Sequence, residues 1–157
     1  MEDRLKQDFT RRLSQCNKGE MIVIMYEIVF AYFDEAKEAH NKKDYVAYKM
    51  AIKKATDSID TLIHALNFAY DISKQLYALY VYSKRALAKA IYQNKPDGIL
   101  EAEQVLRRLY GSFQEVAKSD TSGPLMRNTQ KVYAGMTYGR NDLNESYIDT
   151  IQRGFLV

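Results

Sequence analysis

The segment from Ile72 to Tyr92 constrains the fold most, because it contains neither glycine nor proline and is rich in leucine, alanine and lysine. This composition favours an α-helix. Apolar and small residues recur in it at steps of three and four, so they share one helix face that we predict to point into a core. These residues are Ile72, Leu76, Leu79, Ser83, Ala86, Leu87 and Ala90.

A second set of residues in the same segment has the same spacing and lies largely on a different face. It consists of Tyr77, Tyr80, Val81, Lys84 and Ala88. If the helix were buried on the first face only, this second face should be exposed and polar. Tyrosine exposes a large apolar ring and a hydroxyl at little cost in side-chain entropy, which suits a face that meets another chain. Two interpretations stay open at this point: the rings contact a partner, or they are ordinary core and surface tyrosines.

Three further segments show helical periodicity. One runs from about Gly19 to His40 after the cap residue Asn17, and it is apolar nearly all round in its first half, which predicts burial on most sides. Another follows Asp44, a second predicted cap, and its apolar residues form a seam close to a heptad repeat. The residues of the seam are Tyr48, Ile52, Ala55, Ile59, Leu62 and Leu66.

The last of these segments follows the turn signal AsnLysProAspGly at 94–98, with Asp97 as the predicted cap, and runs to about Lys118. We expect six of its residues to face inward. They are Ala102, Val105, Leu106, Leu109, Phe113 and Val116. No alternation of period two is present. The pattern therefore predicts an all-α fold, an antiparallel up-down four-helix bundle with short turns.

The two ends of the chain differ from the bundle. Residues 1–16 contain Leu5, Phe9 and Leu13 at a spacing of four, which predicts a short amphipathic helix that is weakly held. We therefore divide the chain into a bundle domain, residues 1–118, and a C-terminal extension, residues 119–157. The extension consists of a linker and a partly irregular tail. The tail contains more apolar residues than a fully solvated segment would, so we expect it to dock on its own bundle or on a neighbouring molecule.

The composition excludes several classes of function. The net charge of +3 is too weak to argue for nucleic acid, and the longest apolar run is too short to insert in a membrane. The N-terminus has no apolar signal region, and the lone Cys16 fits a reducing compartment, so we expect a cytoplasmic protein.

No residue pattern predicts catalysis, a metal or a cofactor. Cys16 has no CxxC partner, and there is no Glu-x-x-His pair of the kind that di-iron bundles use. Asp60 and His64 are spaced like one arm of a metal site, but an ordinary surface pair explains them better. A glycine-rich phosphate loop is also missing. We therefore predict a binding protein and not an enzyme.

Several motifs resemble the flagellin export chaperone family FliS. They are Met25-Tyr26-Glu27 in the largely apolar helical segment of residues 19–40, Asp44-Tyr45 after a lysine-rich turn, and Leu79-Tyr80-Val81-Tyr82 followed by Arg85, Leu87 and Ala90. The resemblance covers roughly residues 13–118. The family's usual Leu-Tyr-Asp-Gly is Met25-Tyr26-Glu27-Ile28 here, and the extension is longer than in the smallest family members.

The resemblance implies a cytosolic helical bundle that binds the disordered C-terminal region of flagellin in apolar grooves. Such binding prevents premature polymerisation and assists export, and other flagellar export components are further expected partners. In this family the N-terminal segment can cap the groove, a role that would fall to Leu5, Phe9 and Leu13. The partner-binding residues that we predict are Ile63, Tyr77, Tyr80, Val81, Lys84 and Ala88, supported by Met25 and Tyr26.

A second interpretation is a self-associating bundle. In that case the surplus apolar faces would be closed by homodimerisation, with the extension exchanged between two copies.

Overall fold

The computed structural model describes residues 1–126, and this part of the chain is all-helical, without a β-strand. Five α-helices follow one another: α1 Asp3–Gln15, α2 Lys18–Asn41, α3 Tyr45–His64, α4 Asp71–Gln93 and α5 Asp97–Ser119. The all-α prediction is confirmed. None of the helices within residues 1–126 is long and apolar enough to cross a membrane.

Four of the helices enclose a common core. Helix α2 packs on α3 and α5, α4 packs on the same two helices, and α1 packs on the side of α2. Among the four, α2 and α3 pack most extensively and α3 and α4 least. The largest fully buried side chains of this core are Tyr26, Phe33, Tyr48, Ile52, Ile59, Leu62, Tyr80, Leu87, Ile99 and Leu106.

Two of the predicted helix caps are present. Asn17 Oδ1 accepts a 2.9 Å hydrogen bond from Glu20 N, while Asn17 N donates to Glu20 Oε2 at 2.9 Å, which completes a capping box. Asp44 Oδ1 accepts from Ala47 N at 3.1 Å. The prediction for Asp97 is wrong, because this residue lies in the first turn of α5 and Pro96 precedes the helix without a side-chain cap.

The heptad seam of α3 lies in the core as its spacing indicates. All its residues are buried except Leu66, which is half-buried and follows the end of the helix. On α5, Ala102 and Leu106 are buried, but Val116 is 62% exposed. Val116 lies about 80° around the helix from Leu106, so the predicted inward face drifts away from the core at this end.

The inward face of α4 differs from the prediction by one residue in its first half. Ile72 and Leu79 are exposed, and the adjacent residues Ser73 and Tyr80 are buried in their place. Burial of these polar side chains is tolerated because each has a hydrogen-bond partner; the Ser73 hydroxyl, for example, donates to Asn67 O at 2.7 Å. The second half of the face, from Ser83 onward, is buried as predicted.

Gly98 allows α5 to approach α4 closely. A Cβ atom at this position would lie 2.1 Å from the carbonyl oxygen of Ala86. Any side chain there would force the two backbones apart, so the junction between α4 and α5 depends on glycine.

Candidate partner-binding surface

Five of the sequence-predicted binding residues lie along the outer side of the junction between α3 and α4. Tyr77, Val81, Lys84 and Ala88 follow one another on α4 at steps of four, three and four, so they form one row. Lys84 Nζ lies 2.5 Å from Asp60 Oδ1 on α3, which places this row beside α3. Ile63 is one turn after Asp60. We name these five residues, Ile63, Tyr77, Val81, Lys84 and Ala88, the α3–α4 strip.

The α3–α4 strip is partly open to solvent. Tyr77 is 44% exposed and Ala88 is exposed, whereas Ile63, Val81 and Lys84 are half-buried. Ile63 also packs against the core of the bundle. The strip is therefore a partly exposed, largely apolar surface that packs on the core through Ile63, and its central charge on Lys84 is paired with Asp60.

Aromatic residues of the α3–α4 connection extend this surface. The ring of Phe68 meets the ring of Tyr77 edge to face, with centroids 5.9 Å apart, and Phe68 is 52% exposed. Tyr70, two residues later, is 65% exposed. Helical periodicity did not predict this contribution, because residues 67–71 form a break between two helical segments. The two aromatic residues within the break were the available signal.

Tyr26 and Tyr80, which the sequence also placed among the binding residues, lie in the core instead. Their exposed fractions are 0% and 1%, and their hydroxyl oxygens are 2.6 Å apart. Burial raises the pKa of both hydroxyls, so both remain neutral and one donates to the other. Met25 is half-buried and packs against the same core. None of these three residues is brought to the α3–α4 strip.

A second apolar surface lies on α2, and α1 covers it. Phe9 of α1 is 7% exposed and packs with Cys16 and Ile24 in a small cluster separate from the main core. Leu13 is half-buried at the edge of this cluster, whereas Leu5 is 38% exposed. We call this contact the α1–α2 interface.

A polar contact fastens α1 to the bundle beside this interface. Arg12 Nη1 lies 2.5 Å from Glu27 Oε2 on α2, and the hydroxyl of Tyr110 on α5 donates to Glu27 Oε1 at 3.0 Å. The hydrogen bond to Glu27 raises the pKa of Arg12 above its ordinary value. Burial, together with the hydrogen bond to the Glu27 carboxylate, raises the pKa of Tyr110. One carboxylate thus joins three helices.

The residues that could have held a metal are engaged elsewhere. Asp60 pairs with Lys84, and His64 Nδ1 lies 2.7 Å from the carbonyl oxygen of Asp60. Within residues 1–126, no group of three or more histidine, cysteine or carboxylate side chains is arranged to bind a metal ion.

A comparison with models of protein families gives a match over most of the chain. The model of the family described as Flagellar protein FliS matches residues 1–120. The chain belongs to the FliS family. This is a family of flagellar export chaperones and not of enzymes. No curated protein matches the chain.

The FliS match includes all five helices and ends at Asp120, the residue directly after α5. The α3–α4 strip and the α1–α2 interface therefore both lie inside the family region. The predicted docking segment of the extension lies outside the described residues.

Proposed function

We propose that this FliS-family protein is a non-enzymatic chaperone that binds the disordered C-terminal region of flagellin. It would hold its client in the cytoplasm before export, keep it from polymerising, and pass it to the export apparatus. The observation that supports this proposal most is the α3–α4 strip, where Tyr77, Val81 and Ala88 form a partly exposed apolar row on α4. An amphipathic client helix buries its apolar face against such a row.

The α1–α2 interface provides a second surface for the same client. Leu5, Phe9 and Leu13 would act as a cap that the client displaces from α2. Two properties of α1 favour this role: the helix has only 13 residues, and it packs mainly on α2. A helix of this length is marginal without its packing partner, so its detachment would leave the main core intact.

We also infer that helices α2 to α5 run alternately up and down. The contacts between α2 and α5 support this arrangement, because Lys37 pairs with Glu103 at 2.9 Å whereas Glu27 meets Tyr110 at 3.0 Å. A later residue of α2 thus meets an earlier residue of α5. Adjacent antiparallel helices leave long grooves between them, and an elongated client segment can bind along such a groove.

The test of this proposal is calorimetric titration of the full chain with a peptide of the flagellin C-terminal region. Burial of apolar surface should give a negative heat-capacity change. Substitution of both Tyr77→Glu and Val81→Glu should weaken binding by at least about 30-fold, because two carboxylates would have to be desolvated against an apolar client. The helical circular dichroism should stay unchanged, since Tyr77 is exposed and Val81 is half-buried.

Val116→Glu is the matched control, because Val116 is an exposed valine on α5, away from the α3–α4 strip. This variant should bind like the wild type. Absence of binding by the wild type, or equal binding by the double variant, would contradict the proposal. Light scattering on the same samples distinguishes the chaperone from the self-associating bundle. A stable dimer that does not bind the peptide would favour the self-associating bundle.

A further inference from the structure

The chain that follows α5 returns to the junction between α1 and α2. The backbone N–H of Gly19 donates to Asp120 Oδ2 at 2.9 Å, and Leu125 N donates to Cys16 O at 3.0 Å. The side-chain amide of Asn17 lies 3.3 Å from Asp120 O and 3.4 Å from Ser122 O. Residues 120–125 are thus bound to the residues about which α1 would have to move if it left α2.

A cleft opens beside this junction, between α1, α2 and α5. Its volume is about 600 Å³, which falls within the range of natural ligand sites. The apolar part of its wall includes Cys16, Val23, Ile24 and Ala117, while Arg12 and Lys118 lie at the polar part. Ile24 and Cys16 also belong to the α1–α2 interface. Any segment in the cleft would therefore contact α1 and α2 together.

The described chain ends at this cleft. Leu125 is hydrogen-bonded to Cys16, a residue of the cleft wall, and residues 127–157 begin only two positions further on. The first large apolar residues of that segment are Val132, Tyr133, Met136 and Tyr138. A chain spans up to about 3.3 Å per residue, so six or seven residues reach well across the cleft. A tether this short gives an effective concentration on the order of millimolar, which a second copy at ordinary concentration does not match.

We propose that the cleft is the docking site of the chain's own C-terminal extension, with residues 133–138 in it. Docking there fastens α1 against α2, so the extension regulates whether the α1–α2 interface opens. The inference rests on residues 120–125 and on the cleft, and it does not depend on the identity of the client.

The first test uses a photo-crosslinker in the full chain, Gln114→p-benzoyl-phenylalanine, because Gln114 is an exposed residue of the cleft wall. Irradiation should give a crosslink within one chain to residues 127–157. The matched control is Lys53→p-benzoyl-phenylalanine, at an exposed position of α3, and it should give no crosslink to that segment. Crosslinks between two chains, crosslinks from the control position to the segment, or none to it from position 114 would each overturn the proposal.

The second test asks whether docking fastens α1. In the full chain, the triple variant Tyr133→Ser, Met136→Ser and Tyr138→Ser should accelerate amide hydrogen exchange in α1 about tenfold and leave α3 unchanged. The matched control Tyr147→Ser, Ile148→Ser and Ile151→Ser changes as many apolar residues further along the extension and should exchange like the wild type. An unchanged rate in the first variant, or equal acceleration in both, would overturn the proposal.

Discussion

The α1–α2 interface and the α3–α4 strip are two apolar surfaces outside the main core, and within residues 1–126 only the first of them is covered by another helix. Phe9 is 7% exposed beneath the packing of α1 on α2, whereas Tyr77 is 44% exposed beside α3. Complete burial of one large apolar side chain contributes roughly 1.5–3 kcal/mol, and this gain must offset the ordering of a short helix. Within residues 1–126, the face of α2 is thus covered by a short helix, whereas the strip is partly open to solvent. In the proposed function, a client would meet the strip first and displace α1 afterwards.

The variant Phe9→Ala should separate the two surfaces most clearly. Loss of the central side chain of the α1–α2 interface should weaken it by about 3 kcal/mol. Amide exchange in α1 should then accelerate on the order of 100-fold, and the amides of α3 and α4 should keep their rates. Hydrogen-exchange mass spectrometry measures both regions at once. Equal acceleration in all helices would show that α1 is part of the main core and not a separate cover.

Tyr80→Phe tests the boundary between the α3–α4 strip and the core. Removal of one hydroxyl from the buried pair with Tyr26 leaves the other hydroxyl without this partner, so the free energy of unfolding should fall by about 1–2 kcal/mol. Affinity for the flagellin peptide should stay within about twofold of the wild type. Urea unfolding and peptide titration give the two values. The double variant Tyr26→Phe with Tyr80→Phe is the control and should recover most of the lost stability, because no unpaired hydroxyl remains. A large loss of affinity in Tyr80→Phe would place this residue in the binding surface.

Arg12→Ala should loosen the α1–α2 interface only slightly. The ion pair with Glu27 is partly exposed, and pairs of this kind contribute about 0.2–1 kcal/mol. Exchange in α1 should accelerate less than in Phe9→Ala, and the difference from the wild type should shrink in high salt. Arg11→Ala is the matched control, because the partner of Arg11 among residues 1–126 is Asp8 of its own helix. An effect of Arg12→Ala as large as that of Phe9→Ala would mean that charge, and not apolar burial, holds the cover.

The smallest expected effect is the response of the α1–α2 junction to acid. Hydrogen bonds from Ser122, and then from Gly19 N, lower the pKa of Asp120, because they favour the carboxylate. A lowered pKa means that this contribution to stability is present above the ordinary pKa of about 3.9 and is lost as the pH falls through the lowered value. The amide resonance of Gly19 should therefore titrate with a midpoint below about 3.9. Asp120→Asn should abolish this titration. A titration midpoint of the Gly19 amide at or above the ordinary pKa of an aspartate would contradict the hydrogen bond between Gly19 N and Asp120 Oδ2.

The sequence predicts local features of this molecule better than contacts between distant segments. Asn17 and Asp44 cap their helices because capping depends on the next three residues alone. The burial of Ser73 and Tyr80 could not be read from hydrophobicity, since it depends on partners such as Asn67 O. The return of Asp120 to Gly19 left no local signal at all. It joins residues 101 positions apart, and only the packing of α5 beside α2 brings them together.

The same distinction applies to the candidate site. The spacing of Tyr77, Val81, Lys84 and Ala88 predicted a common row, and the structure places them on one. Tyr80 was included with them because helical spacing alone separates it from Tyr77 by only about 60°. The contact with Tyr26 on α2 decides its position, and such a contact is visible only after the helices have packed.

We propose that the exposed α3–α4 strip and the covered face of α2 serve one client. Hydrogen-exchange mass spectrometry of the full chain, with and without the flagellin C-terminal peptide, is the decisive test. We expect slower exchange in α3 and α4 around residues 60–88 and, in the same sample, faster exchange in α1. Binding of the peptide with no protection along the strip, or with stronger protection of α1, would contradict it.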